Sequence, residues 1–544
     1  MNQADNEGIT SLWTGSENGH AEVVKLLLAN GANINQADNI GDSPLFMSSA
    51  NGYHEVVKLL LLNGAKVNQA GAIDGSPLFV SSENGHAEVV KLLLANGAKV
   101  DQAKNDGETP LIAGSDAGHQ EVVKLLLLNG AKVNQAGQTC TTPLIMSSKN
   151  GHVEVAKLLL TNGAKVDQAD NRGKTPLIVG SVAGHQEVVK LLLLNGAKVN
   201  QAGNDGAPPL IASSPNGHHE VAKLLLANGA MVDYALPDGT TPLTICSGEG
   251  HHAMVELLLD NGAEVNQADN DGDNPLYLSS QSGRREVVKL LLAKGAAVDQ
   301  VNRHGVDPLI ISSVNGHLEV MKLLLASGAN VNHAMNDGCT SLIGSSMKGQ
   351  VEVAKLLLAN GARVNQSDNG GWASLYSAAN PGHVEVVKLL LANGANVHQV
   401  DNEGKTPSYI SRMKGHFEVV ELIMAESTAV RRLAVLSAIR QVRLNPPSSP
   451  PSKLLSLLAN NTPDDLVRDI LEYLGSGVEL CQWCGNEAVK MLKCCGCKQV
   501  RYCSRECQRR DWPHNHKESC KKVVAAAAAA RQKEEGGGKG SKLP

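Results

Sequence analysis

At 544 residues the chain is far longer than one ordinary domain, and only 3% of it is aromatic. Its 42% hydrophobic content comes mostly from Leu, Val and Ala, which favours short packed helices over a large aromatic core. A formal net charge of −5 argues against a general nucleic-acid binder. The sequence has neither an apolar run of about 18 residues nor the basic start and apolar core of a secretory signal. We therefore expect an intracellular protein without a membrane span, and cytoplasm and nucleus both stay open.

A leucine recurs every 33 residues from Leu12 to Leu375, and Ser408 takes its place one period later. No insertion or deletion breaks this register between residues 5 and 433, so the chain divides into thirteen units of 33 residues. One such unit cannot bury its own apolar face, whereas stacked neighbours can. The period therefore predicts an all-α repeat solenoid.

The unit DNRGKTPLIVGSVAGHQEVVKLLLLNGAKVNQA, residues 170–202, predicts the local structure of every unit. DNRG suits a tight turn, and Thr175 can cap a short helix that begins at Pro176. A second helix follows, and Gly196 suits a left-handed residue after its end. The apolar surface of this second helix comprises Val188, Val189, Leu191, Leu192 and Leu193.

The repeat length and the T-P-L and G-H-x-E-V-V-K-x-L-L motifs resemble the ankyrin repeat over roughly four-fifths of the chain. This resemblance implies a concave surface of hairpin tips and inner helices that binds other proteins. Equivalent tip positions vary along the chain, as a recognition surface requires. These positions are Glu7, Ile40, Ile73, Thr139, Arg172, Asp238 and His304.

Two positions depart from the family pattern. The family's Ala-Ala pair on the first helix is mostly Ser-Ser or Gly-Ser, as at Ser48 and Ser49, and we expect these hydroxyls to loosen individual units. The family's His after T-P-L is replaced by Ile in six units, by Thr244 in one and by an aromatic residue in six. We expect the aromatic side chains to pack between helices: Trp13, Phe46, Phe79, Tyr277, Tyr376 and Tyr409.

Other motifs within the repeats have structural interpretations. Gly-His begins the second helix in ten units, as at His20 and His86, without convergent partners that would indicate metal. GKT at 173–175 and 404–406 lacks the P-loop glycine five residues earlier. Because the repeats show no nucleophile–base arrangement, we predict neither catalysis nor a small-molecule substrate there.

Residues 434–480 join the repeats to a cysteine-rich segment. The sequence ESTAVRRLAVLSAIRQVRL, residues 426–444, predicts a capping helix over the last open face, and NPPSSPP predicts a stiff spacer. A short helix is then predicted after TPDD, with Leu466, Ile470, Leu471 and Leu474 at helical spacing. PDDLVRDILEYL faintly resembles the opening of an F-box, which leaves a ubiquitin-ligase adaptor as an alternative function.

Eight of the 11 cysteines lie between residues 481 and 520, and such clustering favours metal over a disulfide framework. Two Cys-x2-Cys pairs, one Cys-x3-Cys pair and one His-x3-Cys pair make four ligand pairs, enough for two tetrahedral zinc sites. Cys495 competes with Cys494, and His514 competes with His516; spacing favours Cys494 and His516. The candidate ligands are Cys481, Cys484, Cys494, Cys497, Cys503, Cys507, His516 and Cys520.

The sequence motif V-R-Y-C-S-x-E-C-Q-x-x-D-W around 500–512 resembles the MYND zinc finger. The resemblance implies two interleaved structural zinc ions. It assigns one ion to Cys481, Cys484, Cys503 and Cys507. It assigns the other to Cys494, Cys497, His516 and Cys520. It also implies a groove for proline-rich peptides, in which Gln508 and Trp512 are the candidate contacts, although Trp512 equally suits a buried anchor of this small finger.

Together these patterns predict a non-enzymatic adaptor whose repeats (5–433) bind one protein and whose finger (481–520) binds another. The basic surplus of the finger is modest and lacks a row of stacking aromatic residues, which argues against nucleic acid as its ligand. Some MYND proteins are methyltransferases, but nothing outside the repeats is long enough for their catalytic domain. A nuclear transcriptional co-regulator stays open as an alternative. The Ala- and Gly-rich tail, residues 521–544, is predicted to be disordered.

Overall fold

The computed structural model describes residues 2–71 and 75–428 and two short strands further along the chain. The chain forms two compact units, Met1–Asn336 and Asp337–Pro544. In each unit, paired helices repeat with the period of the sequence, so the predicted all-α repeat solenoid is confirmed. None of the described helices is long and apolar enough to cross a membrane.

Every repeat of the first unit consists of an inner helix followed by an outer helix. The inner helices are α1 (Ser11–Glu17), α3 (Pro44–Ala50), α5 (Pro77–Glu83), α7 (Pro110–Asp116), α9 (Pro143–Lys149), α11 (Pro176–Ala183), α13 (Pro209–Ser213, followed by a 3₁₀ turn at Ser214–Asn216), α15 (Pro242–Glu249), α17 (Pro275–Gln281) and α19 (Pro308–Asn315). The outer helices are α2 (Ala21–Ala29), α4 (His54–Leu62), α6 (Ala87–Ala95), α8 (Gln120–Leu128), α10 (Val153–Thr161), α12 (Gln186–Leu194), α14 (His219–Ala227), α16 (His252–Asp260), α18 (Arg285–Ala293) and α20 (Leu318–Ala326).

The second unit continues the same alternation. Its inner helices are α21 (Ser341–Met347), α23 (Ser374–Ala379) and α25 (Pro407–Lys414). Its outer helices are α22 (Val351–Ala359) and α24 (Val384–Ala392), and residues 417–428 are helical at the corresponding place in the thirteenth repeat. Two antiparallel strands, β1 (Leu492–Lys493) and β2 (Arg501–Tyr502), pair Leu492 with Tyr502 and Lys493 with Arg501.

The sixth repeat shows why these residues form helices of this length. The Thr175 hydroxyl accepts a hydrogen bond of 3.2 Å from the Ile178 N–H, and Pro176 occupies the first helical position of α11. Gly196 follows α12 with φ of +83°, a left-handed conformation that side-chain-bearing residues rarely adopt. The predicted cap and helix end are therefore both confirmed.

The core is built mainly by the outer helices and by the leucine of the inner helices. In the sixth repeat Leu177, Val188, Val189 and Leu192 are fully buried, whereas Leu194 at the end of α12 is 77% exposed. Consecutive inner helices pack side by side within each unit, and so do consecutive outer helices. Each repeat thus buries its apolar residues against its neighbours, as stacking requires.

Candidate interaction surface

In each hairpin tip, some residues hold the backbone of the turn, and one further residue can differ between repeats. In the sixth repeat, Asp170 Oδ1 accepts hydrogen bonds from the backbone N–H groups of Arg172 and Lys174, at 2.9 and 2.8 Å. Gly173 has φ of +74°, which a side chain would disfavour. The Arg172 side chain is 81% exposed and contacts the turn through a loose ion pair of 3.8 Å from Nε to Asp170 Oδ2. The turn can therefore present different side chains without changing its backbone.

The structure places the predicted tip residues at the surface. Ile40 is 66% exposed, although it is a large aliphatic residue. Ile73 lies outside the described residues. The remaining tip residues are all exposed: Glu7, Thr139, Arg172, Asp238 and His304. Acidic, basic, polar and apolar groups thus share one structural position, so the surface chemistry varies along the repeats.

Ion pairs join some tips to the next repeat. Lys174 Nζ lies 2.6 Å from Asp205 Oδ2, and Arg303 lies 2.6 Å from Asp271 Oδ1. The hydrogen bond from Lys174 lowers the pKa of Asp205 below its ordinary value. Because these groups are solvent-accessible, each pair contributes only about 0–1 kcal/mol to stability. Their main effect is to orient charged side chains along the row of tips.

The aromatic residues that follow T-P-L pack between repeats, as predicted, at five of six positions. Trp13, Phe46, Phe79, Tyr277 and Tyr376 are all less than 8% exposed. Two of these rings also bond to the next repeat, since Trp13 Nε1 donates to the Asp42 carbonyl at 2.9 Å and the Tyr376 hydroxyl donates to Asp401 Oδ2 at 2.8 Å.

The prediction is wrong for the sixth ring, at Tyr409, which is 48% exposed. The reason is its place in the chain. It lies in the thirteenth repeat, and no further repeat follows within the described residues.

Trp372 is a surface residue that the sequence analysis did not single out. Its ring stacks on Tyr376 with centroids 5.3 Å apart, and the Tyr376 hydroxyl donates to Asp401 Oδ2 at 2.8 Å. Other repeats have Lys174 or Thr240 at the position of Trp372. The unusual aromatic residue at this position could therefore have been identified from the sequence. The half-buried indole adds an aromatic contact to the tip surface of the twelfth repeat.

The recurring histidines connect repeats, in agreement with their structural interpretation. His185 Nε2 lies 3.0 Å from the carbonyl oxygen of Lys149 in the preceding repeat, and His86 Nε2 lies 2.9 Å from that of Ala50. Arg284 replaces the histidine in the ninth repeat, and its Nε donates to the Gly248 carbonyl at 3.1 Å. Within the described ranges, no group of three or more His, Cys, Asp or Glu could hold a metal ion.

The serines of the inner helices lie where the helices approach closely. Ser48 is fully buried, and its hydroxyl donates to the Pro44 carbonyl at 2.9 Å. Ser49 and Ser181 are equally buried, but their hydroxyls find no hydrogen-bond partner among the described residues. An unsatisfied buried hydroxyl opposes folding. The packing therefore supports the expected weakening at these two positions.

The tenth repeat contains a buried carboxylate in place of a capping threonine. Asp307 is 0% exposed, and its Oδ1 accepts from the Ile310 N–H at 2.6 Å, whereas its Oδ2 has no partner among the described residues. Burial raises the pKa of Asp307 to about 6, and nearby His333 opposes that rise. The local sequence VDPLI does not reveal this environment, because burial and His333 come from the packed fold.

The structure describes only a small part of the predicted zinc-binding segment. Strand β1 ends one residue before Cys494, and strand β2 ends one residue before Cys503. Because Lys493 pairs with Arg501 and Leu492 with Tyr502, the strand ends that precede Cys494 and Cys503 lie at opposite ends of this antiparallel pair. All eight candidate ligands, the competing Cys495 and His514, and Gln508 and Trp512 lie outside the described residues. Thiolate-rich donors with one imidazole fit structural zinc, and the ligand assignment stays a prediction.

Comparison with known families agrees with both resemblances. The family described as ankyrin repeats (3 copies) matches seven overlapping segments, which together cover residues 1–203 and 210–432. The family described as MYND finger matches residues 481–520. Zinc binding follows from the MYND match, because thiolate and imidazole ligands hold such a finger together.

Individual relatives match only parts of the chain. The SET domain and MYND-type zinc finger protein 6 of Schizosaccharomyces pombe is 49% identical over 41 residues, which is 8% of each chain. Ubiquitin carboxyl-terminal hydrolase 19 of Arabidopsis thaliana is 44% identical over 50 residues, 9% of this chain and 7% of its own. This chain therefore spans less than a tenth of either relative. The crystal structure of the human ASB11 ankyrin repeat domain is 30% identical, with a TM-score of 0.38, and covers 40% of this chain and 98% of its own.

Proposed function

This chain belongs to the ankyrin-repeat family, and on that premise we propose that it is a non-enzymatic adaptor that joins two proteins. The repeats bind the first protein through their tips and inner helices, and the MYND finger binds a peptide of the second. One observation carries the proposal: exposed side chains of different chemistry occupy one position on a backbone that hydrogen bonds and glycines hold fixed. Such a surface recognises a protein without refolding.

The tip geometry supports binding by the repeats. Asp170 and Gly173 hold the turn, so Arg172 can contact a partner at little conformational cost to the backbone. Neighbouring tips add groups of other chemistry, among them exposed Asp238 and His304. Selectivity then comes from the order of side chains along the repeats, because the backbone offers the same shape at each tip.

The finger supplies the second binding site. We assign it two zinc ions, held by the two interleaved ligand sets that the sequence predicts. Both ions have four protein ligands and leave no position for a reacting water, so their role is to stabilise the finger. Gln508 and Trp512 contact a proline-rich peptide, whose extended conformation suits a flat indole. Linking the two sites raises the effective concentration of one partner near the other.

The test uses the full-length chain and two variants that damage one site each. A tip variant combines Arg172→Glu with Asp238→Lys, and a finger variant carries Cys503→Ser. Proteins retained from a native extract are compared by quantitative mass spectrometry. We expect each variant to lose a different set of proteins, and zinc content to fall only in the finger variant.

Ser148→Ala serves as the matched control, because this serine is fully buried on an inner helix and is neither a tip residue nor part of the finger sequence. It should retain both sets of proteins. The adaptor proposal is wrong if both variants retain everything that the control retains, or if both lose the same proteins.

A further inference from the structure

The thirteenth repeat ends in an apolar surface that the described chain leaves uncovered. We define the terminal face as Tyr409, Arg412 and Met413 on α25 together with Met424 on the helical stretch 417–428. Tyr409, Met413 and Met424 are 48%, 66% and 51% exposed. Tyr409, Arg412 and Met413 have i, i+3, i+4 spacing and therefore share one side of α25.

Preceding repeats show what normally happens to this side of an inner helix. The equivalents of Tyr409 are Ile343, which is 0% exposed, and Tyr376, which is 4% exposed. The equivalents of Arg412 are Ser346 and Ala379, and both are 0% exposed. The next repeat covers these positions, as the hydrogen bond from Tyr376 to Asp401 illustrates. At Tyr409 and Arg412 the terminal face is thus a stacking surface, whereas the position of Met413 is exposed in the eleventh repeat as well, where Met347 is 44% exposed.

Charge limits which segment can cover this face. Arg412 and Lys414 are both exposed in the last turn of α25, whereas Glu418, Glu421 and Glu426 lie on the helical stretch 417–428, so the positive charge is confined to α25. The sequence pattern of residues 426–444 predicts a capping helix over this face, but residues 429–444 contain four arginines and no acidic residue, so their charge is unfavourable beside α25. Residues 463–474, PDDLVRDILEYL, contain four acidic residues and one arginine among apolar residues at helical spacing. The acidic segment complements α25 in charge and the apolar residues of the face in hydrophobicity.

The chain between the two is long enough for this contact. Residues 429–462 separate the helical stretch 417–428 from the acidic segment. At up to about 3.3 Å per residue, these 34 residues can reach as far as about 110 Å. The eight-residue helix α25 is only about 12 Å long at 1.5 Å per residue. The acidic segment can therefore return to the repeat from which it departs.

We propose that residues 463–474 dock as an amphipathic helix on the terminal face of the same chain. Leu466, Ile470 and Leu474 contact the apolar residues of the face, and the acidic residues lie near Arg412 and Lys414. This contact goes beyond the adaptor function, because it fixes the start of the finger against the last repeat. It also covers the surface on which a further repeat would otherwise stack.

Carbodiimide cross-linking of the full-length protein tests the contact directly. The reagent joins lysine to carboxylate without a spacer, and mass spectrometry identifies the joined residues. We expect Lys414 to be linked to Asp464, Asp465 or Asp469. Mixing nitrogen-15-labelled and unlabelled protein before the reaction distinguishes one chain from two. Links between labelled and unlabelled chains would identify a second copy as the occupant and overturn the proposal.

Hydrogen exchange of charge variants provides the second test. Asp464→Lys with Asp465→Lys should speed exchange in residues 417–428 by about tenfold, since the cover is lost. Adding Arg412→Glu and Lys414→Glu should restore slow exchange and permit a link between residues 414 and 464. The matched control, Glu534→Lys with Glu535→Lys, makes the same charge change in the tail and should alter nothing.

Two results would contradict docking of the acidic segment. The first is unchanged exchange in residues 417–428 when Asp464 and Asp465 are reversed. The second is faster exchange when Arg431 and Arg432 are changed to Glu, which would show that the directly following segment covers the face.

Discussion

The sixth and thirteenth repeats have the same fold but differ at the positions that neighbours cover. The sixth has Leu177 and Ser181 on its inner helix, both fully buried. The thirteenth has half-buried Ser408 and exposed Arg412 at the equivalent positions. Its outer helix also lacks the terminal glycine, because Ser427 replaces the equivalent of Gly196, and residues 417–428 stay helical past that point. The regular pattern of burial and helix termination in a repeat therefore depends on the repeat that follows it.

The largest expected effect comes from removing the core leucine of the sixth repeat. Leu177→Ala should lower the free energy of unfolding by roughly 2–5 kcal/mol, because it leaves a cavity between two inner helices. Denaturant unfolding followed by circular dichroism measures the change. The reciprocal substitution, Ser408→Leu, should have a smaller, stabilising effect, since the site is only half-buried. If Ser408→Leu stabilised the protein by as much as Leu177→Ala destabilises it, the contribution of this position would not depend on a following repeat.

Buried Asp307 in the tenth repeat allows the effect of burial between repeats to be measured through the pH dependence of stability. Its pKa of about 6 lies above the ordinary value, so the folded state binds its proton more tightly than the unfolded state. Stability from this group is complete below pH 4 and is lost as the pH rises through about 6. Asp307→Thr should therefore stabilise the protein by roughly 1–3 kcal/mol at pH 7.5 and by little at pH 4.

The matched experiment transfers the carboxylate to the regular repeat. Thr175→Asp should bring a similar loss of stability between pH 4 and 7.5 to the sixth repeat, where Thr175 is 1% exposed. Unfolding midpoints in urea at the two pH values measure both variants. An identical pH dependence in Asp307→Thr and the unaltered protein would contradict the assigned role of burial.

Helix termination gives an intermediate effect. Gly196→Ala should cost roughly 1–2 kcal/mol, because φ of +83° is unfavourable for a side-chain-bearing residue. No atom lies within 4 Å of the added methyl carbon, so the cost is one of backbone conformation. Ser427→Gly tests the opposite change, and we expect it to shorten the helical stretch 417–428. Hydrogen exchange in residues 417–428 should then become faster, and an unchanged rate would argue against glycine as the determinant.

The smallest effect is expected at the buried serines. Ser181→Ala should raise the free energy of unfolding by about 1 kcal/mol, because it removes a buried hydroxyl without a partner. The control is Ser148→Ala, where the hydroxyl donates to the Leu144 carbonyl at 2.6 Å. That substitution should be neutral or slightly destabilising. Equal effects at Ser148 and Ser181 in denaturant unfolding would show that hydroxyl satisfaction does not matter here.

Local features of the fold could be read from the sequence because each depends on residues close in the chain. Thr175, Pro176 and Gly196 determine where helices begin and end in the sixth repeat, and the 33-residue period predicts their stacking. The environments of Tyr409 and Asp307 could not be read in this way. Both environments depend on which neighbouring repeat packs against the residue in the folded protein. The local sequence motif does not contain that information.

The candidate site likewise has some features that the sequence predicts and others that depend on the folded structure. Exposure of tip residues such as Arg172 follows from turn chemistry and was predictable, whereas the stack of Trp372 on Tyr376 depends on side-chain conformation across a turn. For the finger, the match over residues 481–520 agrees with the sequence resemblance. Its ligand pairing stays a prediction, because spacing alone does not determine which pairs share an ion.

The hydrogen bonds between successive repeats also have a mechanical consequence. Bonds such as that between His185 and Lys149 connect each repeat only to its neighbour. Within either unit, a pulling force can therefore detach one repeat while the others stay folded. Each detached repeat of 33 residues releases about 110 Å of extended chain. A protein bound to the tips would then experience the repeats as an elastic tether that lengthens in uniform steps.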